Sequence, residues 1–149
     1  MRHDFDIVDC LVEQDGKFLI VQESKPGREN LYNVPGGHII DGETIAEAAI
    51  RETFEESGYR VELTGFLGIY QSIIGAKQLN VAGPCYLARV TGGEARVSEE
   101  HPEVRWVTVE EFLALAADGR FWTSYLPDLM ADYQRRGAYP LDAVSSTRT

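Results

Sequence analysis

The stretch Arg51-Glu52-Thr53-Phe54-Glu55-Glu56-Ser57-Gly58 sets three carboxylates close together. On a helix, Glu52 and Glu56 stand one turn apart and Glu55 joins them on the same side. Like charges at that spacing repel and cost helix stability. Arg51 is the only basic residue between Asp41 and Tyr59, and its helical angle points it away from the carboxylate arc. Two readings account for such a face. One is a solvated acidic surface, since Glu is a good helix former. The other is a divalent cation site, because Mg2+ takes oxygen ligands, keeps several waters and bridges carboxylates to phosphates. The cation reading is strengthened just upstream. There Gly36-Gly37 lets backbone approach an ion or phosphate closely, and Glu43 follows a tight turn at the helix entrance.

The elements that must position these groups are legible as pattern. Thr44 with Glu47 has the form of a capping box and Gly58 suits a left-handed C-terminal cap, which predicts a helix from Thr44 to Ser57. Ala46, Ala49, Ile50, Thr53 and Phe54 would form its sheet-facing stripe. Upstream, two apolar runs between Asp4 and Ser24 flank Asp15-Gly16, a hairpin signal. The loop that follows, KPGRENLYNVPGG, gathers Lys25 and Arg28. Downstream come two long strands, VELTGFLGIYQSII and LNVAGPCYLARV, bent at Gly65, Gly68 and Gly83. A loop rich in Glu, a short strand VRWVT, a helix VEEFLALAADG and another after Pro127 complete the chain. This order predicts an α+β fold or α/β/α sandwich, a mixed β-sheet flanked by helices. It would be a single domain over residues 1–142, with a flexible tail at 143–149.

Composition narrows the partners. The chain has 149 residues, of which 44% are hydrophobic and 10% aromatic, enough for one core. A formal net charge of −10 argues against a surface that tracks nucleic acid polymers. It would also repel an anionic ligand unless a cation or local basic patch intervened. Cys10 and Cys85 stand alone in strand-like stretches and read as buried thiols in a reducing compartment. His3, His38 and His101 are scattered, with no zinc spacing. The first residues are acidic where a secretion signal is basic, and no run is long enough to span a membrane. The expectation is a cytoplasmic protein without a membrane partner.

Gly37, five residues, Glu43, seven residues, and then Arg51-Glu52-Thr53-Phe54-Glu55-Glu56-Ser57-Gly58-Tyr59 together resemble the Nudix box. Every fixed position matches, and the order of elements is similar over most of the chain. Thr53 and Tyr59 replace residues that are usually aliphatic. Ile40 sits where many members carry an acid, and Tyr32 where many carry Trp.

The resemblance implies hydrolysis of a diphosphate linkage in a nucleoside diphosphate derivative or related small phosphorylated metabolite, using Mg2+ or Mn2+. It assigns metal coordination to Glu52, Glu55 and Glu56 with a backbone carbonyl near Gly36 or Gly37, and pairs Glu43 with Arg51 to hold the loop on the helix. The general base would be a box glutamate or a later carboxylate, with Glu103 preferred over Glu100 and Glu99. Lys25 and Arg28 would meet phosphate. Tyr32, Tyr70 or Phe121 would stack on a base, although aromatics are more often core residues. The alternative is a silent ligand sensor or binding module on the same fold. Sensors often lose a metal carboxylate, and here none is missing. A homodimer stays open.

Overall fold

The computed structural model describes residues 7–149. His3 and the first residues of the expected opening run lie outside them. Strand β1 (Ile7–Gln14) turns at Asp15-Gly16 into β2 (Lys17–Gln22). Both turn residues have positive φ, 52° and 76°, the conformation that favours Asp-Gly in a two-residue hairpin. Two short strands follow, β3 (Tyr32–Asn33) and β4 (Gly36–His38), and then helix α1 (Ile45–Ser57). The long pair β5 (Tyr59–Ile74) and β6 (Leu79–Gly93) leads to β7 (Val104–Thr108), α2 (Val109–Ala117), α3 (Leu126–Arg136) and a short 3-10 turn at Leu141–Ala143.

The described strands form one seven-stranded mixed sheet in the order β3-β2-β1-β6-β5, with β4 on β1 and β7 on β2. β1 is the pivot of this sheet. Its N-terminal half runs antiparallel to β4 and its middle runs parallel to β6, while only Glu13 and Gln14 pair with β2. The sheet therefore splays around β1, and an opening forms where β2 and β4 part.

Two apolar layers hold the sheet between helices. On one face Val8, Cys10, Val12, Leu19 and Leu63 pack on Ala48 and Ala49 of α1. On the other, Leu11, Phe18 and Ile20 meet Phe112 of α2 and Leu126, Leu129 and Met130 of α3. The chain is thus a mixed sheet flanked by three helices, as the pattern of elements predicts. Cys10 and Cys85 are buried free thiols. Among the described residues no helix is long and apolar enough to cross a membrane.

The buried stripe of α1 differs from the expected one. Ala48, Ala49, Thr53 and Ser57 are buried, whereas Ile50 is 39% exposed. Small side chains let the helix lie close to the sheet. Phe54 is half-buried, with the guanidinium groups of Arg60 and Arg96 at 4.6 and 4.9 Å from its ring centre. Gly65 and Gly68 stand at register shifts between β5 and β6, as bends require. Gly83 does something else: a β-carbon there would run into the carbonyl oxygen of Ile7, so its bareness allows β6 to lie against β1. At the far end, Val144 packs on the α1 side of the core, and Arg148 donates to Glu47 at 2.6 Å.

Candidate active site

α1 starts where Thr44 Oγ1 accepts from the Glu47 amide at 3.1 Å. It stops at Gly58, whose φ of 85° turns the chain into β5. The glutamates are thereby presented from a helix fixed at both ends.

Arg51 does not point away from them. Its Nε and Nη2 form a two-pronged bond to Glu43 at 2.8 Å each, and Nη1 donates to Glu52 at 2.9 Å and to Glu55 at 3.1 Å. Nη2 also donates to the His38 carbonyl at 2.9 Å. The helical angle describes where the side chain leaves the backbone, but the guanidinium lies several bonds further on and curls back. The pairing with Glu43 is as the resemblance implies. Its hydrogen bonds hold the Glu43 carboxyl below the usual range, and Glu43 accepts in turn from the Ile40 amide at 3.1 Å.

Glu56 is held separately. Oε1 accepts from the Gly36 amide at 2.8 Å, and Oε2 lies 2.9 Å from Nε2 of His101. Nδ1 of the same ring lies 3.0 Å from the Gln22 carbonyl. A carbonyl and a carboxylate both accept, so the geometry favours a proton on each ring nitrogen. Burial would lower the His101 pKa, but the bond and charge of Glu56 outweigh it, and the net direction is up. Sequence spacing could not bring His101 to Glu56, because the contact is made by a loop folding back onto α1.

The crowded glutamates are therefore stabilised from within the chain, Glu52 and Glu55 by Arg51 and Glu56 by His101. Among the described residues no three His, Cys, Asp or Glu side chains converge as a ready-made metal cage. The residues nonetheless fit a hard divalent cation. Glu52, Glu55, Glu56 and Glu100 line one cleft with Gly36 and Gly37, an all-oxygen donor set of the type such ions take. A β-carbon on Gly37 would sit 2.5 Å from the Glu52 carboxyl carbon, so the glycine makes room for that carboxylate. Burial first, then the charges of Glu56 and Glu55, raises the Glu52 pKa against the pull of Arg51. That is the electrostatic setting a cation would relieve.

A second opening continues from Glu56 and is lined by Asp9, Glu23, Lys25, Arg28, Asn33, Trp122 and Thr123. Lys25 and Arg28 line this opening beside the carboxylates of Asp9, Glu23 and Glu56. Tyr32 does not. It is 4% exposed within the core, and its hydroxyl donates to Glu103 at 2.8 Å. Phe121 packs on Phe112 with ring centres 4.6 Å apart, and the Tyr70 hydroxyl donates to Asp132 at 2.6 Å. Glu103 is engaged by Tyr32 and lies 3.6 Å from Arg105. Of the late carboxylates, Glu100 lines the glutamate cleft.

Asp9, Glu23, Asn33 and Trp122 carried no signal in the sequence. Asp9 accepts from the Tyr125 hydroxyl. Burial, reinforced by Glu56 and Glu23, pushes its pKa up to about 7 despite that bond.

A mixed sheet between helices, with a clamped glutamate helix facing a Gly-Gly strand, defines the class. The chain matches the model of the NUDIX domain over residues 4–127; it belongs to that family and is a Nudix-type hydrolase. It is 30% identical over 141 residues to the phosphatase NudJ of Escherichia coli strain K12, covering 92% of this chain and 88% of that protein. It is 29% identical over 111 residues to the ADP-ribose pyrophosphatase of Methanocaldococcus jannaschii, covering 74% of this chain and 66% of that one. The NUDIX hydrolase from Nitrosomonas europaea superposes with a TM-score of 0.84 at 25% identity, covering 95% of each chain.

Proposed function

We propose that this chain hydrolyses the diphosphate linkage of a nucleoside diphosphate derivative or related small phosphorylated metabolite, with Mg2+ or Mn2+ bound at the α1 glutamates. The observation that carries the reading is the continuity of two surfaces. The cleft lined by Glu52, Glu55 and Glu56 runs into one that carries Lys25 and Arg28. The relatives named a pyrophosphatase and a phosphatase support the same chemistry.

Glu52, Glu55 and Glu56, with backbone of Gly36 or Gly37, would hold the cation. When bound, it neutralises phosphate charge and acidifies a coordinated water. The chain's own groups do the rest. Arg51 fixes Glu52 and Glu55 in place, and His101 fixes Glu56. Lys25 and Arg28 supply positive charge for phosphate oxygens on an otherwise acidic protein. A carboxylate of α1, or Glu100, which lines the same cleft, would accept the proton of an attacking water.

The test is a hydrolysis panel in Mg2+ and in Mn2+, spanning nucleoside diphosphates and triphosphates, nucleotide sugars and ADP-ribose, with Glu56→Gln beside the wild type. Turnover that needs the cation and collapses in the variant supports the proposal. Tight binding of a panel member with no turnover by the wild type replaces it with a ligand sensor.

A further inference from the structure

Two groups in the cleft have no part in the chemistry above. Glu23, one residue past β2, is 7% exposed and lines the cleft, yet its carboxylate makes no hydrogen bond or ion pair among the described residues. Its charged surroundings are mixed, Glu56 opposing it and His101, Arg28 and Lys25 favouring it from a distance. A carboxylate taken from water and given no donor is costly, so a donor brought by a ligand would be well rewarded there.

Asn33 is the complement. Its Oδ1 accepts from the Val34 amide at 3.0 Å and from Thr123 Oγ1 at 3.0 Å. A backbone amide can only donate, so the oxygen must face it and the orientation of the side-chain amide is determined. Nδ2 then keeps its N–H groups for the cleft that Asn33 lines, with no protein acceptor among the described residues. Trp122 completes the site as a flat wall, with the Arg28 guanidinium 4.3 Å from its ring centre. Asp9, in the same cleft, already accepts from Tyr125.

We propose that this part of the cleft selects the group attached to the diphosphate by reading the edge of an amino-heterocycle. An exocyclic amine donates to Glu23 and the adjacent ring nitrogen accepts from Nδ2 of Asn33. Adenine and cytosine present that donor and acceptor side by side. Hypoxanthine and uracil reverse both, setting a keto oxygen against the Glu23 carboxylate and a ring N–H against the Asn33 amide. The selection rests on the proposed hydrolysis, since it needs the diphosphate to lie toward α1.

The test compares ADP with IDP and CDP with UDP in steady-state hydrolysis. Calorimetric binding of the same four nucleotides to Glu56→Gln is measured alongside. The expected result is a preference for the amino member of each pair of about ten- to a hundredfold in kcat/KM, the worth of one hydrogen bond to a charged group. Glu23→Gln, whose amide can turn an N–H toward a keto oxygen, collapses that ratio toward one. Equal kcat/KM within both pairs overturns the proposal, as does a Glu23→Gln variant that slows both members alike. If the wild type turns over none of the four, binding decides: tighter ADP and CDP supports the selection, while equal affinity or no binding overturns it. Turnover that survives Glu56→Gln refutes the placement of the hydrolytic chemistry at the α1 glutamates and leaves the amino preference to be judged from the ratios.

Discussion

Replacing Arg51 with Ala would remove five polar contacts of 2.8 to 3.1 Å at once, to Glu43, Glu52, Glu55 and the His38 carbonyl. The Glu43 and Glu52 side chains are only 11% and 15% exposed, so each would be left largely out of water without its cation. Breaking a fully buried pair by deleting one partner costs roughly 3–5 kcal/mol. Arg51 itself is 25% exposed, and water can enter where it stood, which lowers the expectation to about 2–4 kcal/mol. That is a large share of a domain stability of roughly 5–15 kcal/mol. Urea unfolding of wild type, Arg51→Ala, Glu43→Gln and the double variant would measure it, with a coupling energy of about 1 kcal/mol or more between the two positions. Arg51→Lys should fall between, because one ammonium cannot match both oxygens of Glu43 and also reach Glu52 and Glu55. A loss below about 0.5 kcal/mol for Arg51→Ala would place the cluster with ordinary surface ion pairs and refute the reasoning.

Three further outcomes follow from the same geometry. Asp9 has its pKa pushed from 3.8 to about 7, so the folded chain holds that proton longer than the unfolded one and stability falls as pH rises between those values. Asp9→Asn should therefore stabilise the protein at pH 8 by up to about 4 kcal/mol and have little effect below pH 4, read as melting temperature against pH. Gly83→Ala drives a β-carbon into the Ile7 carbonyl and should cost about 2–3 kcal/mol in chemical unfolding by forcing β6 from β1. Glu100→Gln should lower kcat about tenfold or more, whereas Glu103→Gln should leave kcat unchanged and lose about 1 kcal/mol of stability with its Tyr32 bond. Unchanged turnover in both would return the proton-accepting role to the α1 glutamates.

What could be read from the sequence was local. Thr44 and Gly58 bounded α1 because a cap acts on backbone groups within a few residues. The spacing of Gly37, Glu43, Arg51, Glu52 and Glu56 was informative because all five lie on one continuous strand, turn and helix. The reach of Arg51 was misread because a helical angle stops at the β-carbon. β3 and β4, of two and three residues, are too short to show a period. His101, Glu23, Asn33 and Trp122 come from four separate segments, and only the closing of the sheet around β1 brings them together. The burial of Tyr32 and the engagement of Glu103 share that cause, since each is settled by a partner 71 positions away.

The glutamates of α1 come with their own supports. Gly37, Glu43, Arg51, Glu52, Glu55 and Glu56 satisfy one another largely within a single run of chain, and His101 is the main support from outside. The opposite wall, by contrast, is assembled from the end of β2, from β3 and from the segment before α3. A mutation on that wall can alter which molecule is admitted without loosening the glutamate run. The two halves are thus mechanically separable, one a self-supporting cassette and the other a wall that can be recut without disturbing it.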